Sequence, residues 1–231
     1  MRPSPARHHG VIASLAAMLL GIVAPAAIAQ QTGMLLVAKP HLLDPNFTHT
    51  VMLVTQAADG AAFGVILNRP TPKSLARMLP DRPELARFTE PLYFGGPVET
   101  VGLFAVFRNP TSPGEAFAAG SDLWLALRPT TVEQLIHSPP KQLRFYIGYA
   151  GWAPGQLARE VERGDWWVLD VDPDVLFLED TGNLWLDLMR RATSVTASFD
   201  RPRAYALLKR IAPTVYSTRM TSFGAKRPSS S

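Results

Sequence analysis

The stretch that decides the fold is GYAGWAPGQL, Gly148 to Leu157. It combines two aromatic residues with three glycines and one proline. Glycine and proline have opposite effects on the backbone. Glycine permits positive φ and close backbone approach, whereas proline fixes φ and lacks an N–H. An apolar extended run, Leu143 to Tyr149, leads directly into this stretch. We therefore expect a strand-to-helix corner, with Pro154 at the first helical position.

The same stretch is also a candidate binding site. Tyr149 and Trp152 would wall a small pocket, and Gln156 would be its polar group. Backbone N–H groups near Gly151 and Gly155, at the free N-terminus of the helix, would add donors. A packed corner needs the same residues for folding alone, so a purely structural role stays open.

Outside this stretch, strand patterns outnumber helix patterns. The segments on either side of Asp59-Gly60 predict an antiparallel hairpin. Thr130 and Glu133 have the spacing of a capping box. Helices fall singly between groups of strands, which predicts an α+β fold. The predicted strands are 33–38, 50–56, 62–68, short pieces within 92–98, 101–107, 123–127 and 166–171, and the predicted helices are 74–79, 132–137, one after Pro154, and 183–192.

The N-terminus has the pattern of a secretory signal peptide. Arg2 and Arg7 precede the apolar run 11–23, and Ala27-Ile28-Ala29 gives a small-x-small cleavage site. We expect cleavage after Ala29 and a periplasmic or secreted protein, with an uncleaved membrane anchor as the alternative. The chain has no cysteine, which excludes a disulfide scaffold, a cysteine-linked lipoprotein and a thiol enzyme.

Charge separates the C-terminus from the body of the chain. From Arg190 onward there are nine basic residues and the single acid Asp200, a net charge of +8. The formal charge of the whole chain is +4, and the leader carries two arginines, so residues 30–189 carry −6 by difference. The domain is thus predicted at 30–192, followed by a basic extension, 193–231, that is partly disordered.

The basic extension has three possible partners. It would bind an anionic partner, or fold back onto the acidic body. Residues 200–212 would form an amphipathic helix, so weak contact with a membrane surface is a further option.

The motifs together resemble the YqgE/AlgH family of bacterial proteins. They are MLLVAKPHLLDPNF (34–47), GAAFGVILNRP (60–70), FGGPV (94–98), GYAGWAPGQL, and the later DVDPDVLF and NLW segments. The resemblance implies a branched, mostly antiparallel sheet that includes a small closed barrel, surrounded by helices. It also implies the label transcriptional regulator, without a catalytic residue. Relatives often carry histidine where this chain has Gln56 and Phe107, so chemistry that depends on those histidines would be absent here.

Other candidate sites are weaker. Arg69 would reach a carboxylate or a phosphate, and Gly95-Gly96 would offer backbone N–H groups to an anion. His41, Asp44 and His49, or the alternating Asp170, Asp172 and Asp174, would ligate a metal, but solvated turns explain both sets better. No metal and no cofactor is predicted. The ligand-binding candidates are Asn68, Arg69, Gly95, Gly96, Tyr149, Gly151, Trp152, Gly155 and Gln156.

These observations predict a non-enzymatic binding protein of the cell envelope, whose partner is a protein or a small molecule. One alternative is a cytoplasmic transcriptional regulator. The other is a hydrolase, although the mature chain has only three histidines and no Gly-x-Ser-x-Gly motif.

Overall fold

The computed structural model describes residues 33–196. The signal peptide predicted at 1–29 lies outside the described residues. So do the helix predicted at 200–212 and the rest of the basic extension beyond residue 196.

Nine strands form one sheet in this part of the chain. The order is β6-β7-β5-β8-β3-β2-β1-β9, and every pairing along it is antiparallel. The short strand β4 lies off this path and pairs in parallel with β8. The bounds are β1 Met34–Ala38, β2 Val51–Gln56, β3 Ala62–Ile66, β4 Tyr93–Phe94, β5 Val98–Arg108, β6 Phe117–Ala118, β7 Leu123–Ala126, β8 Gln142–Trp152 and β9 Trp166–Leu169.

The helices are short, apart from the last. They are α1 Leu75–Met78, α2 Pro129–His137, α3 Gln156–Arg163, α4 Pro173–Leu176 and α5 Leu184–Thr196, with a 3-10 turn at Pro83–Leu85. The predicted hairpin, strand β1 and helix α5 are confirmed. The predicted capping box is wrong, because Pro129 starts α2 early and places Thr130 inside the helix. Asp172 caps α4 where only a turn was expected.

Alternation along the strands divides the core between the two faces of the sheet. Leu35 and Val37 of β1 pack with Leu184 and Leu188 of α5 in one cluster. On the opposite face, Leu36 belongs to a second cluster, which includes residues of α3. A third cluster fills the space between α2 and the β5–β7 half of the sheet. The fold is therefore α+β, as predicted.

The sheet curls, but its strand path stays open within residues 33–196. Thr55 of β2 donates its hydroxyl hydrogen to the carbonyl oxygen of Ala118 in β6, at 2.6 Å. No ladder joins the terminal strands β6 and β9 to each other in the described part. The closed barrel thus stays a prediction. None of the helices in this part is both long and apolar enough to cross a membrane.

Candidate functional site

The corner around GYAGWAPGQL differs from the prediction in where the strand ends. Strand β8 continues through Trp152, so the first half of the motif is strand. Helix α3 begins at Gln156, and Gly155 is its N-cap with φ 74°. Pro154 is therefore not the first helical residue. The positive φ at the N-cap explains the glycine at that position.

Gln156 and Glu160 close the N-terminal part of α3 with their own hydrogen bonds. The Gln156 side chain accepts from the Ala153 N–H (3.2 Å) and donates to Glu160 Oε1 (3.0 Å). Glu160 Oε2 accepts from the indole N–H groups of Trp152 (2.9 Å) and Trp166 (3.1 Å). Glu160 thus joins the end of β8 to β9, and the polar group of the predicted pocket is engaged within the protein.

Tyr149 and Trp152 lie in different clusters, so they do not wall one pocket. The Tyr149 ring packs with Phe104 at a centroid distance of 5.2 Å, in the cluster under α5. Trp152 is 5% exposed in the cluster that includes α3. Burial raises the pKa of Tyr149, and the negative charge of Glu99 raises it further.

Asn68 connects β3 to the start of β2. Its Oδ1 accepts from the Val51 N–H, and its Nδ2 donates to the His49 carbonyl, both at 2.9 Å. The amide therefore acts as an additional rung at the end of the β2–β3 ladder.

Arg69 holds the loop that precedes β2. Nη1 donates to the Asn46 carbonyl at 2.7 Å, and Nη2 donates to the carbonyls of Pro45 and Thr48 at 3.1 Å each. Burial lowers the pKa of the Arg69 guanidinium, and the charge of Asp44 opposes this shift. The expected ion pair or phosphate contact is replaced by three backbone carbonyls.

Gly95 and Gly96 lie against β8 in close backbone contact. The Gly95 N–H donates to Ile147 and its carbonyl accepts from Ile66, so Gly95 links β8 to β3. A Cβ on Gly96 would lie 2.3 Å from the carbonyl carbon of Tyr149. The Gly95 N–H is therefore used in the sheet, which argues against an anion cradle.

The loop of residues 41–49 is where several motifs meet. Phe47 lies between Trp152 and Trp166, with ring centroids at 6.4 and 5.9 Å. The following turn ends at His49, whose φ is 54° and whose ring contacts the edge of Trp185 at 4.2 Å. We call residues 41–49 the anchored loop.

Several side chains of the anchored loop are exposed to solvent. Leu43 is 84% exposed, although Arg69 and Phe47 fix the backbone on its C-terminal side. His41, Asp44 and His49 are also exposed. The arrangement is a constrained loop with one apolar and several polar groups available for contact.

The predicted site residues thus form two groups. Asn68 and Arg69 hold the anchored loop from the segment that follows β3, and Trp152 contacts the same loop through Phe47. The remaining candidates lie in β8 or in backbone contact with it, or they cap the N-terminus of α3. Sequence reasoning missed Phe47, Glu160 and Trp166. The only signal available was the spacing of Gln156 and Glu160, which places both on one face of a helix.

The remaining residues singled out in the sequence can also be placed in the structure. In the part of the chain that the structure describes, no group of three or more His, Cys, Asp or Glu could hold a metal ion. Gln56, where relatives often carry histidine, donates to the Gly60 carbonyl at 3.1 Å. Phe107, the other such position, is fully buried.

Comparison with known proteins gives a consistent result. The profile of the AlgH-like family matches residues 35–196. A UPF0301 protein of Mycobacterium tuberculosis is 33% identical over 175 residues, covering 73% of this chain and 86% of its own length. A UPF0301 protein of Streptomyces avermitilis is 34% identical over 172 residues, with coverages of 71% and 88%.

Two solved structures share the fold. The solution structure of the AlgH protein from Pseudomonas aeruginosa matches with a TM-score of 0.58 and 26% identity, covering 76% of this chain and 97% of that one. A crystal structure of a Corynebacterium diphtheriae protein matches with a TM-score of 0.54 and 27% identity, covering 68% and 85%.

Proposed function

Because this chain belongs to the AlgH-like family, whose UPF0301 names state no activity, we propose a function from the site itself. The protein is a non-enzymatic binding protein, and its contact element is the anchored loop. The supporting observation is that Arg69 donates three hydrogen bonds to the backbone of this loop, while the Leu43 side chain is 84% exposed. A loop fixed in advance loses less conformational entropy when a partner binds.

The use of the motif side chains supports binding over catalysis. Asn68, Arg69, Gln156 and Glu160 direct their hydrogen bonds to the protein's own backbone and side chains. A catalytic group must instead reach the reacting atoms of a substrate. The surface of the loop is the part of this region with groups available for a partner.

The partner of this loop is a protein. Leu43 offers an apolar contact, and Asp44 beside it offers a carboxylate that favours a basic or hydrogen-bond-donating neighbour. An apolar contact with polar groups around it matches the apolar centre and polar rim of a protein interface.

Substitution of Leu43 tests the proposal. The full chain, Leu43→Asp and the control Val101→Asp are used as bait in extracts of the source cells, and captured proteins are quantified by mass spectrometry. Val101 is a suitable control because it is 99% exposed and lies on β5, away from the anchored loop in sequence. We expect at least one captured protein to bind both the wild type and Val101→Asp but not Leu43→Asp.

Equal capture by all three baits would exclude the anchored loop as the contact element. Both substitutions change exposed side chains, so the three proteins should have the same unfolding midpoint. Measuring these midpoints is the control for folding. Turnover of an ester, phosphate or peptide substrate that disappears in Gln156→Ala would favour the hydrolase alternative.

We further propose that the protein acts in the cell envelope. The basis is the leader pattern at residues 1–29. Sequencing the N-terminus of the protein isolated from its cells tests this: a start at Gln30 supports export, and a start at Met1 in the soluble cytoplasmic fraction supports the regulator alternative.

A further inference from the structure

Charge is arranged in consecutive blocks along the chain. Residues 30–169 contain twelve basic and twelve acidic side chains, so their net charge is zero. The whole −6 of the body therefore lies in residues 170–189, which hold six acids and no base. The block of nine bases and one acid follows directly, from Arg190 to the C-terminus.

The first two bases of the basic block already pair with the acidic block. Arg191 Nη1 lies 2.7 Å from Asp172 Oδ2, and Arg190 Nη1 lies 3.4 Å from Asp187 Oδ1. The Arg191 pair joins α5 to the cap of α4. In the described residues, one of these pairs therefore lies within α5 and the other joins two elements.

Several acids of the block have no cation partner within residues 33–196. Asp174, Glu179 and Asp180 are exposed and form no ion pair there. Two apolar side chains accompany them in sequence, Leu178 at 40% exposure and Leu186 at 37%. Leu178 precedes the turn that the Leu184 N–H to Thr181 carbonyl hydrogen bond closes, and Leu186 lies in the first turn of α5. We call the exposed part of residues 174–187 the acidic surface.

We propose that the C-terminal extension, residues 197–231, binds the acidic surface of its own chain. The extension has the complementary composition. Seven bases follow residue 196, and Lys209-Arg210 stands between Leu207-Leu208 and Ile211. Apolar contacts to Leu178 and Leu186 and charge pairs to the neighbouring carboxylates would form together.

The covalent link makes such weak contacts effective. A single exposed ion pair contributes only about 0–1 kcal/mol. Attachment to the same chain replaces a bimolecular encounter by an effective concentration of roughly millimolar. Lys209 is thirteen positions beyond Thr196, the end of α5, enough for a span of up to about 45 Å when extended. The extension can therefore reach any part of the acidic surface.

Zero-length cross-linking of the full chain tests the proposal. A carbodiimide joins lysine amines to carboxylates in direct contact, and the extension offers Lys209 and Lys226. In monomeric protein at low salt, we expect both lysines to link to carboxylates of the acidic surface. At about 1 M salt, where the screening length is about 3 Å, these links should disappear.

Two variants sharpen the result. Asp174→Lys/Glu179→Lys/Asp180→Lys should reduce the yield of these links on the order of tenfold or more, because it reverses the charge of the surface. The control Asp59→Lys/Glu90→Lys changes two exposed acids of the charge-balanced part and should leave the yield unchanged.

The cross-link map of the wild type decides the matter even if a variant folds poorly. Links spread evenly over exposed acids such as Asp44, Asp59 and Glu90 would overturn the proposal, as would links only between chains. It would also be overturned if the lysines remained unlinked while the chain bound vesicles of equal parts phosphatidylcholine and phosphatidylglycerol. That result would assign the extension to a membrane surface.

Discussion

Arg69 illustrates how a charged residue in a motif can serve the backbone. Its guanidinium donates to three carbonyl groups of the anchored loop, all of which lie outside regular strands. A planar group with five donors suits several acceptors in fixed positions better than an ammonium does. The geometry thus accounts for arginine at this position without a ligand.

We expect Arg69→Ala to destabilise the protein by about 2–3 kcal/mol, because three carbonyls lose a charged donor at once. Arg69→Lys should recover only part of this loss, since a point charge cannot reach all three acceptors. Urea unfolding measures both. The matched control is Arg159→Ala, which removes an exposed arginine of α3 and should change stability by less than about 0.5 kcal/mol.

If Arg69→Lys matched the wild type, a single charge would be sufficient and the fork geometry would be irrelevant. If Arg69→Ala and Arg159→Ala had equal effects, the three hydrogen bonds would contribute nothing to stability.

The identity of Arg69 as a special residue could be predicted from the sequence, but its partners could not. An arginine before a proline at a strand end has a restricted backbone conformation, so its side chain starts from a defined position. Its acceptors are backbone atoms 21 to 24 positions earlier, and backbone carbonyls leave no side-chain signature in a sequence. The partners of Glu160 could not be predicted either, because they are two tryptophans on separate strands.

At the scale of elements, β8 is the strand that joins the two halves of the sheet. Residues 142–147 and Tyr149 pair with β5, and residues 150–152 pair with β3. Gly148, with φ 71°, lies at the register shift of the β5–β8 ladder. A left-handed glycine at such an irregularity lets β8 continue without ending, as glycine does at a β-bulge.

Gly148→Ala should be among the most damaging single substitutions. The new Cβ would lie 2.3 Å from the Gly96 carbonyl oxygen, and the backbone would keep its positive φ. Strain and overlap together predict a loss of about 3 kcal/mol or more. Gly151→Ala is the control in the same strand, because its Cβ would meet only the Tyr149 ring at 3.4 Å.

Thermal unfolding compares the two variants. We expect a lower midpoint or no soluble protein for Gly148→Ala and a small change for Gly151→Ala. Equal midpoints would show that β8 does not need a left-handed residue at position 148.

Most elements followed from local patterns, whereas the organisation of β8 did not. Turn residues and short apolar runs predicted the β2–β3 hairpin and the strands β1, β7 and β9, whereas no strand was predicted where β6 lies. The motif indicated a corner, but β8 extends three residues past the predicted end because β3 pairs with it at Ala150 and Trp152. A pairing partner about 90 positions away cannot be inferred from local residues.

At the scale of the whole molecule, buried phenols give folding stability a dependence on alkaline pH. Tyr146 is fully buried, and Arg144 is the charged group that acts on its hydroxyl. Burial raises the pKa of Tyr146 well above its ordinary value, and the charge of Arg144 opposes this. The folded state therefore keeps a proton that the unfolded state releases near pH 10.

The sign of the effect follows from this difference. Below about pH 10 both states hold the proton, so the full stability is present. As pH rises further, the unfolded state loses it first, and stability should fall by about 1.4 kcal/mol per pH unit from this group. Urea unfolding between about pH 8 and 11 should show a smaller decline for Tyr146→Phe than for the wild type. Identical declines would mean that Tyr146 ionises equally in both states.

The position of β1 has a consequence for synthesis. This first described strand lies between β2 and β9, and Leu35 pairs with Leu169, 134 residues later. One edge of β1 therefore stays without its partner until residue 169 has emerged from the ribosome. At elongation rates of about 5–20 residues per second this takes roughly seven to twenty-seven seconds. During that time the nascent chain presents a continuous apolar strand, MLLVA, which a chaperone would recognise before the sheet can close around it.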